Sequence, residues 1–135
     1  MKLLVYTDGW ARGNPGPAGI GVYITDAKGK PLEKRHKYLG VATNNIAEYT
    51  GALLGIRRAI ELGANEIELR MDSQLVVEQL SGNFKVKNPE LKKIYIEIGA
   101  MIATWWGKIS FIHIRREQNG EADRLSNVAM DEGTE

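Results

Sequence analysis

The chain has 135 residues, 43% of them hydrophobic, with 18 Lys and Arg against 17 Asp and Glu and no cysteine. That length suits one ordinary domain able to hide roughly two-thirds of its unfolded surface, and the missing cysteines exclude disulfides and thiolate metal sites. A net charge of +1 excludes a whole-protein attraction to nucleic acid, so any such partner must be met by a local patch.

The start, MKLLVYTDG, carries one lysine and four consecutive apolar or aromatic residues before polar ones. This is too short for a signal peptide or a membrane span, and a soluble cytoplasmic protein with no membrane contact is expected. Residues 2–7 read as a buried strand stopped by Asp8, after which the stretch VYTDGWARGNPGPAG becomes a loop dense in Gly and Pro. Residues 19–25 read as a second strand, with Val22 and Ile24 alternating against smaller or polar neighbours. The turn DAKGKP leads into a third strand over 32–39, and the short connections predict an antiparallel meander.

From 45 to 62 the spacing changes. Ile46, Tyr49, Leu53, Ile56 and Ile60 recur at three and four residues, one face of an amphipathic helix stopped by Gly63. Residues 66–71 alternate Ile67 and Leu69 with charged neighbours; a strand after a crossover helix lies parallel to an earlier one, here the first. SQLVVEQLSG predicts a short helix closed by Gly82, Pro89 opens another to about 104, 109–114 form a fifth strand and 121–130 a last helix. The sum is one α/β domain over 1–131. Its five-stranded mixed sheet has strands 1–3 antiparallel and strands 1, 4 and 5 parallel, with helices on both faces. Residues 132–135 are expected to form a frayed polar tail.

Four acids stand out by position: Asp8 and Asp72 end strands one and four, while Glu48 and Asp123 sit in the first turns of the long and last helices. Singly, each has an ordinary reading as turn residue, helix cap, capping-box partner or dipole complement. Together they lie where open sheets with helical crossovers collect functional groups, beyond the carboxyl ends of parallel strands. Four carboxylates in one cleft stay ionised only if cations compensate them, and an all-oxygen set suits Mg²⁺ or Mn²⁺. Two such ions about 3.5 to 4 Å apart would clamp the attacking and leaving oxygens of a phosphodiester displacement.

The segments YTDGWARGNPGPAG, TNNIAEY, MDSQLVVEQLSG and REQNGEADRLSN stand in that order along the chain. Together they resemble type 1 ribonuclease H over nearly its whole length. The resemblance implies a ribonuclease H-like fold and a metal-dependent endonuclease that cuts the RNA strand of RNA/DNA hybrids, leaving 3′-hydroxyl and 5′-phosphate ends. Motif by motif, it makes Asp8, Glu48, Asp72 and Asp123 the catalytic, metal-binding carboxylates, with two Mg²⁺ or Mn²⁺ ions per site. It also implies substrate contacts from the backbone around Gly13, from Asn14, Asn45 and Gln74, and from Thr43 at a DNA phosphate. Compact members leave double-stranded RNA open as a further substrate.

The chain departs from the family pattern in three places. Trp10 replaces a small residue, and its indole either packs against the fold, the favoured reading, or is offered to substrate. RREQNGEAD lacks the histidine that many bacterial members carry before the last aspartate. Arg116 is the better placed substitute and a candidate phosphate contact, whereas His113 is expected to be structural within strand five. The basic handle of some bacterial members is also absent, and Lys85, Lys87, Lys92 and Lys93 are expected to supply part of its electrostatic grip. A non-catalytic nucleic-acid binder and a nuclease of different substrate on the same fold are the competing readings. With no cysteine, heptad or apolar patch to demand otherwise, a monomer is expected.

Overall fold

The computed structural model describes residues 1–134. Its strands are β1 (Lys2–Ala11), β2 (Gly16–Asp26), β3 (Pro31–Ala42), β4 (Glu66–Met71) and β5 (Lys108–His113). Its helices are α1 (Asn44–Glu61), α2 (Gln74–Leu80), α3 (Pro89–Thr104) and α4 (Gly120–Thr134), with a single 3-10 turn at Arg116–Gln118. The strands form one sheet in the order β3-β2-β1-β4-β5. β1, β2 and β3 pair antiparallel, while β1, β4 and β5 run parallel, as the crossover logic requires.

Alternation along β1 and β2 sets the two faces. Val5 and Thr7, with Val22 opposite, turn toward α1, whereas Gly19 and Gly21 lie beneath α4. The α1 face holds the main core: Leu3, Val5, Ile24, Tyr49, Ile56, Ile67 and Leu69 are fully buried, each aliphatic contributing about 1.5–3 kcal/mol relative to exposure. The predicted stripe of α1 is the buried one at Tyr49, Leu53 and Ile56, with Ile46 and Ile60 packed at its margins. α3 starts as its sequence dictates, with Pro89 in the first turn and Asn88 accepting from the amides of Glu90 and Leu91. Among the described residues, no helix is long and apolar enough to cross a membrane.

Several boundaries differ from expectation. β1 does not stop at Asp8. Its pairing with β2 continues through Ala11↔Ala18, because the antiparallel hairpin supplies partners that the shorter β4 does not. Parallel pairing with β4 ends at Tyr6↔Arg70, so Asp8 still emerges beyond the parallel part of the sheet. α1 begins at Asn44 and is capped by Thr43, one residue ahead of the helix expected from 45, which moves Glu48 beyond the first turn. The expected frayed tail is helical, since α4 runs to Thr134. His36 Nε2 lies 2.9 Å from Glu132 Oε2 and Gly133 packs on the Tyr38 ring, holding that end to β3. Glu135 lies outside the described residues.

Candidate active site

Two glycines bring the acid-bearing helices against the sheet. A Cβ on Gly9 would stand 2.2 Å from the carbonyl carbon and oxygen of Ala47 and 2.4 Å from the amide of Glu48, so only glycine lets α1 pass this close. On the other face, a Cβ on Gly21 would stand 2.1 Å from the carbonyl oxygen of Ala122. Gly21 is the register partner of Asp8, so the first turn of α4, with Asp123, docks directly opposite that carboxylate. Glu48 and Asp123 thus reach one place from opposite faces, past the end of β4, where Asp72 follows Met71.

Asp8, Glu48, Asp72 and Asp123 line one pocket together with Trp10, Ser73 and Arg116, in a volume of about 230 Å³. Four like charges gathered here repel. Among the described residues, no three His, Cys, Asp or Glu side chains form a ready-made metal cage. Burial, then Asp72, then hydrogen bonding to Asp123 push the Asp8 carboxyl up to about 8. Burial likewise pushes Glu48 up to about 7; the Ser73 hydroxyl opposes this and Asp72 adds to it. The hydroxyl does not complete a hydrogen bond to Glu48 Oε2, which stays buried without a partner. A buried, unpartnered carboxylate oxygen among other acids is costly unless a cation meets it. The lining therefore fits a hard divalent cation.

The amide side chains that orient these acids were not singled out in the sequence. Asn44 Nδ2 donates to Glu48 Oε1 at 3.0 Å, and Asn44 Oδ1 accepts from the Ala11 amide at 3.0 Å, tying the helix to β1. Asn119, 1% exposed, donates through Nδ2 to the Thr7 carbonyl at 3.0 Å and to Asp72 Oδ2 at 3.1 Å. The Gly9 amide donates to Asp8 Oδ1 at 3.0 Å. The signal available for Asn44 was its place inside TNNIAEY; for Asn119, its place just before a helix.

Of the expected substrate residues, Arg116 is the one that lines the pocket. Gly13 takes a φ of 108° in a tight loop beside the cis Asn14–Pro15 bond. Asn14 Oδ1 accepts from the Asn44 amide at 3.1 Å, which seats this loop on the start of α1 beside Thr43 and Asn45. Thr43 accepts from the Ile46 amide as helix cap, whereas Asn45 and Gln74 are exposed, Gln74 as the first residue of α2 after the cap Ser73. Two expectations need correction. Trp10 is 42% exposed at the pocket's rim instead of packed away, because its end of β1 projects beyond β4; the guanidinium of Arg116 lies over its ring. His113 is exposed as the last residue of β5, past the cover that Ile109 and Phe111 receive. Lys85, Lys87 and Lys92 line a separate groove of about 660 Å³ with Phe84 and Tyr95.

The family model described as reverse transcriptase-like matches residues 6–129. The chain is 46% identical over 132 residues to the bifunctional protein Rv2228c of Mycobacterium tuberculosis, covering 97% of this chain but 36% of that protein. It therefore spans about a third of the length of the mycobacterial relatives it matches. It is similar to the crystal structure of RNase H1 from Halobacterium salinarum NRC-1, with 36% identity, a TM-score of 0.93, and coverage of 98% of this chain and 99% of that one. It is also similar to LC11-RNase H1 solved in complex with an RNA/DNA hybrid, with 43% identity, a TM-score of 0.95, and coverage of 98% and 99%. The agreement runs through sheet order, strand direction and sequence alike, and on it the chain belongs to the type 1 ribonuclease H family.

Proposed function

We propose that the chain is a metal-dependent endonuclease that hydrolyses the RNA strand of RNA/DNA hybrids by a two-metal-ion mechanism, leaving 3′-hydroxyl and 5′-phosphate ends. Asp8, Glu48, Asp72 and Asp123 are its catalytic carboxylates. The observation that carries this reading is their common pocket, reached from two strands and two helices. That a relative of 43% identity was solved with an RNA/DNA hybrid supports the substrate class.

The donor set fits Mg²⁺ or Mn²⁺, being all carboxylate oxygen with no thiolate or imidazole in the lining. The chemistry such ions supply when bound is activation of water and stabilisation of the leaving oxygen in an in-line displacement. The protein's part is to hold the acids still. Asp8 stands on a strand paired on its β2 side, Asn119 ties Asp72 to the backbone of β1, and Asn44 ties Glu48 to its far end. Arg116, the one basic residue lining the pocket among the described residues, suits a phosphate of the cut strand. Asn14, Asn45, Gln74 and the Gly13 backbone offer neutral donors and acceptors of the kind that read 2′-hydroxyls across a minor groove. The Thr43 hydroxyl, accepting from Ile46, keeps its proton to donate to a DNA phosphate. Lys85, Lys87, Lys92 and Lys93 form no ion pair among the described residues, which leaves them to phosphates farther along the duplex. The same readers admit double-stranded RNA, and a monomer suffices for all these roles.

The test mixes purified protein with labelled RNA/DNA hybrid, double-stranded RNA and double-stranded DNA in Mg²⁺, with EDTA and Asp72→Asn as controls. Cleavage of the hybrid's RNA strand, abolished in both controls, is expected. An intact hybrid at every metal concentration tried overturns the proposal. Salt-sensitive hybrid binding indifferent to divalent metal would mark a binder instead.

A further inference from the structure

The guanidinium of Arg116 faces a pocket walled by four carboxylates, yet among the described residues it makes no ion pair and no side-chain hydrogen bond. It lies instead over the ring of Trp10, 5.7 Å from the centroid. Its neighbour Arg115 pairs with Glu117 at 3.4 Å, so this turn does form ion pairs where an acid is in reach. Trp10 pairs with Gly19 at the far end of β1. Gly19 lies beneath α4, and Arg12, just past the end of β1, reaches that helix at Asp131 and Asn127, so this face of β1 looks toward the helix that carries Asp123. The indole thus stands at the rim, where a flat electron-rich face attracts a weakly hydrated planar cation.

We infer that Trp10 is a positioning residue: its ring parks Arg116 at the rim and keeps that guanidinium from closing an internal ion pair with the pocket carboxylates, whose oxygens stay open to a divalent cation. The inference rests on the reading of the pocket as a metal site. Without the ring, Arg116 is free to turn inward, where a bidentate guanidinium–carboxylate pair is the strongest contact within its reach. A divalent ion must then displace it. The stack is partly exposed, so the competition it prevents amounts to roughly a two- to fivefold rise in the metal concentration needed for half-saturation. Arg116 keeps its role toward substrate phosphate; Trp10 acts only through it.

The experiment is Mn²⁺ binding to the free protein, followed by calorimetry and by the electron paramagnetic resonance signal of unbound Mn²⁺, with no substrate present. Trp10→Leu should bind Mn²⁺ about two- to fivefold more weakly, and Trp10→Leu/Arg116→Ala should bind at least as well as Arg116→Ala alone. The aromatic series Trp10→Tyr and Trp10→Phe should fall between, in the order of ring attraction for cations, and it decides the matter if Trp10→Leu proves unfolded by circular dichroism. Equal affinity across the series overturns the inference. So does a loss from Trp10→Leu that is just as large when Arg116 is already alanine, since the indole would then act by packing alone. If Asp72→Asn binds Mn²⁺ as well as the unmodified protein, the metal reading of the pocket itself fails, a result separable from both of these.

Discussion

Asp8→Asn removes one titrating carboxyl from the pocket while keeping an oxygen able to accept from the Gly9 amide, now held at 3.0 Å. In the folded protein burial, followed by Asp72, moves this carboxyl from 3.8 up to about 8. Between those values the native state keeps a proton that the unfolded chain has released. Stability from this group is fully present below its unfolded value and is lost as pH rises toward 8, at about 1.4 kcal/mol per pH unit. The three units from about pH 5 to about pH 8 amount to about 4 kcal/mol, on the order of 12 °C in Tm for a domain of this size. Scanning calorimetry in EDTA should show the unmodified protein losing that much more than Asp8→Asn over the interval. Glu48, raised to about 7 chiefly by burial, adds to the same trend and remains in both proteins. Added Mg²⁺ should narrow the gap at the alkaline end, because a bound cation favours the ionised pocket. If the two proteins run parallel from acid to alkaline conditions, the four acids are not coupled through burial in one pocket, and the electrostatic account of the site is wrong.

Gly9→Ala should lower the free energy of unfolding in urea by about 3 kcal/mol or more and abolish hybrid cleavage, since the new Cβ meets the backbone of Ala47 and Glu48 and not a movable side chain. An active, equally stable variant would refute the close docking of α1. Asn119→Ala leaves the Thr7 carbonyl and Asp72 Oδ2 without their donor and should cost about 1–3 kcal/mol, measured by the same unfolding curves, together with weaker Mn²⁺ binding. Glu33 is held below its usual 4.5 chiefly by the Arg58 hydrogen bond, against the pull of burial. Its contribution is therefore present above that value and lost as pH falls through the lowered one. Glu33→Gln should accordingly flatten the acid limb of the Tm–pH curve and leave the alkaline limb, where Asp8 acts, unchanged.

The readable parts of this chain were those with a local rule behind them. A three-and-four spacing from Ile46 to Ile60 gives one buried helix face wherever that helix docks, and a crossover helix admits little choice over the direction of β4. The acids were readable because strand ends and helix starts can be found in sequence, and the topology then converts those positions into proximity. What escaped depended on partners distant in the chain. Asn119 and the Thr7 carbonyl are 112 residues apart, and Asn44 meets the Ala11 amide across 33. No spacing rule connects such pairs. Gly9 and Gly21 read as turn or strand glycines until α1 and α4 are seen resting on them. Threonine and two asparagines in succession at 43–45 are all competent helix caps, and the choice of Thr43 followed from the docking of Asn14 and Asn44, not from propensity. Trp10 defied its reading for a related reason, since an aromatic residue in a strand is buried only where a neighbouring strand and helix continue past it, and β4 does not.

The protein treats its acids in two distinct ways, and the difference locates the chemistry. Glu33 meets the guanidinium of Arg58 in a two-pronged pair and is held below its ordinary value. Glu68, against the pull of burial, is likewise lowered by Arg70 and Lys2. These acids have their counter-charge within the chain. Among the described residues, the pocket carboxylates take their hydrogen bonds from neutral groups, among them the Gly9 amide on Asp8, Asn44 on Glu48 and Asn119 on Asp72. An amide fixes where an oxygen points without cancelling its charge, so the repulsion among the acids survives, and two of them hold protons well above the usual carboxylate range. A lysine or arginine paired with one of these oxygens would relieve that repulsion, at the cost of closing it to a divalent ion. The placement of amides at these points, with the one nearby guanidinium turned onto an indole, is the arrangement expected of a pocket whose counter-charge must come from outside the chain.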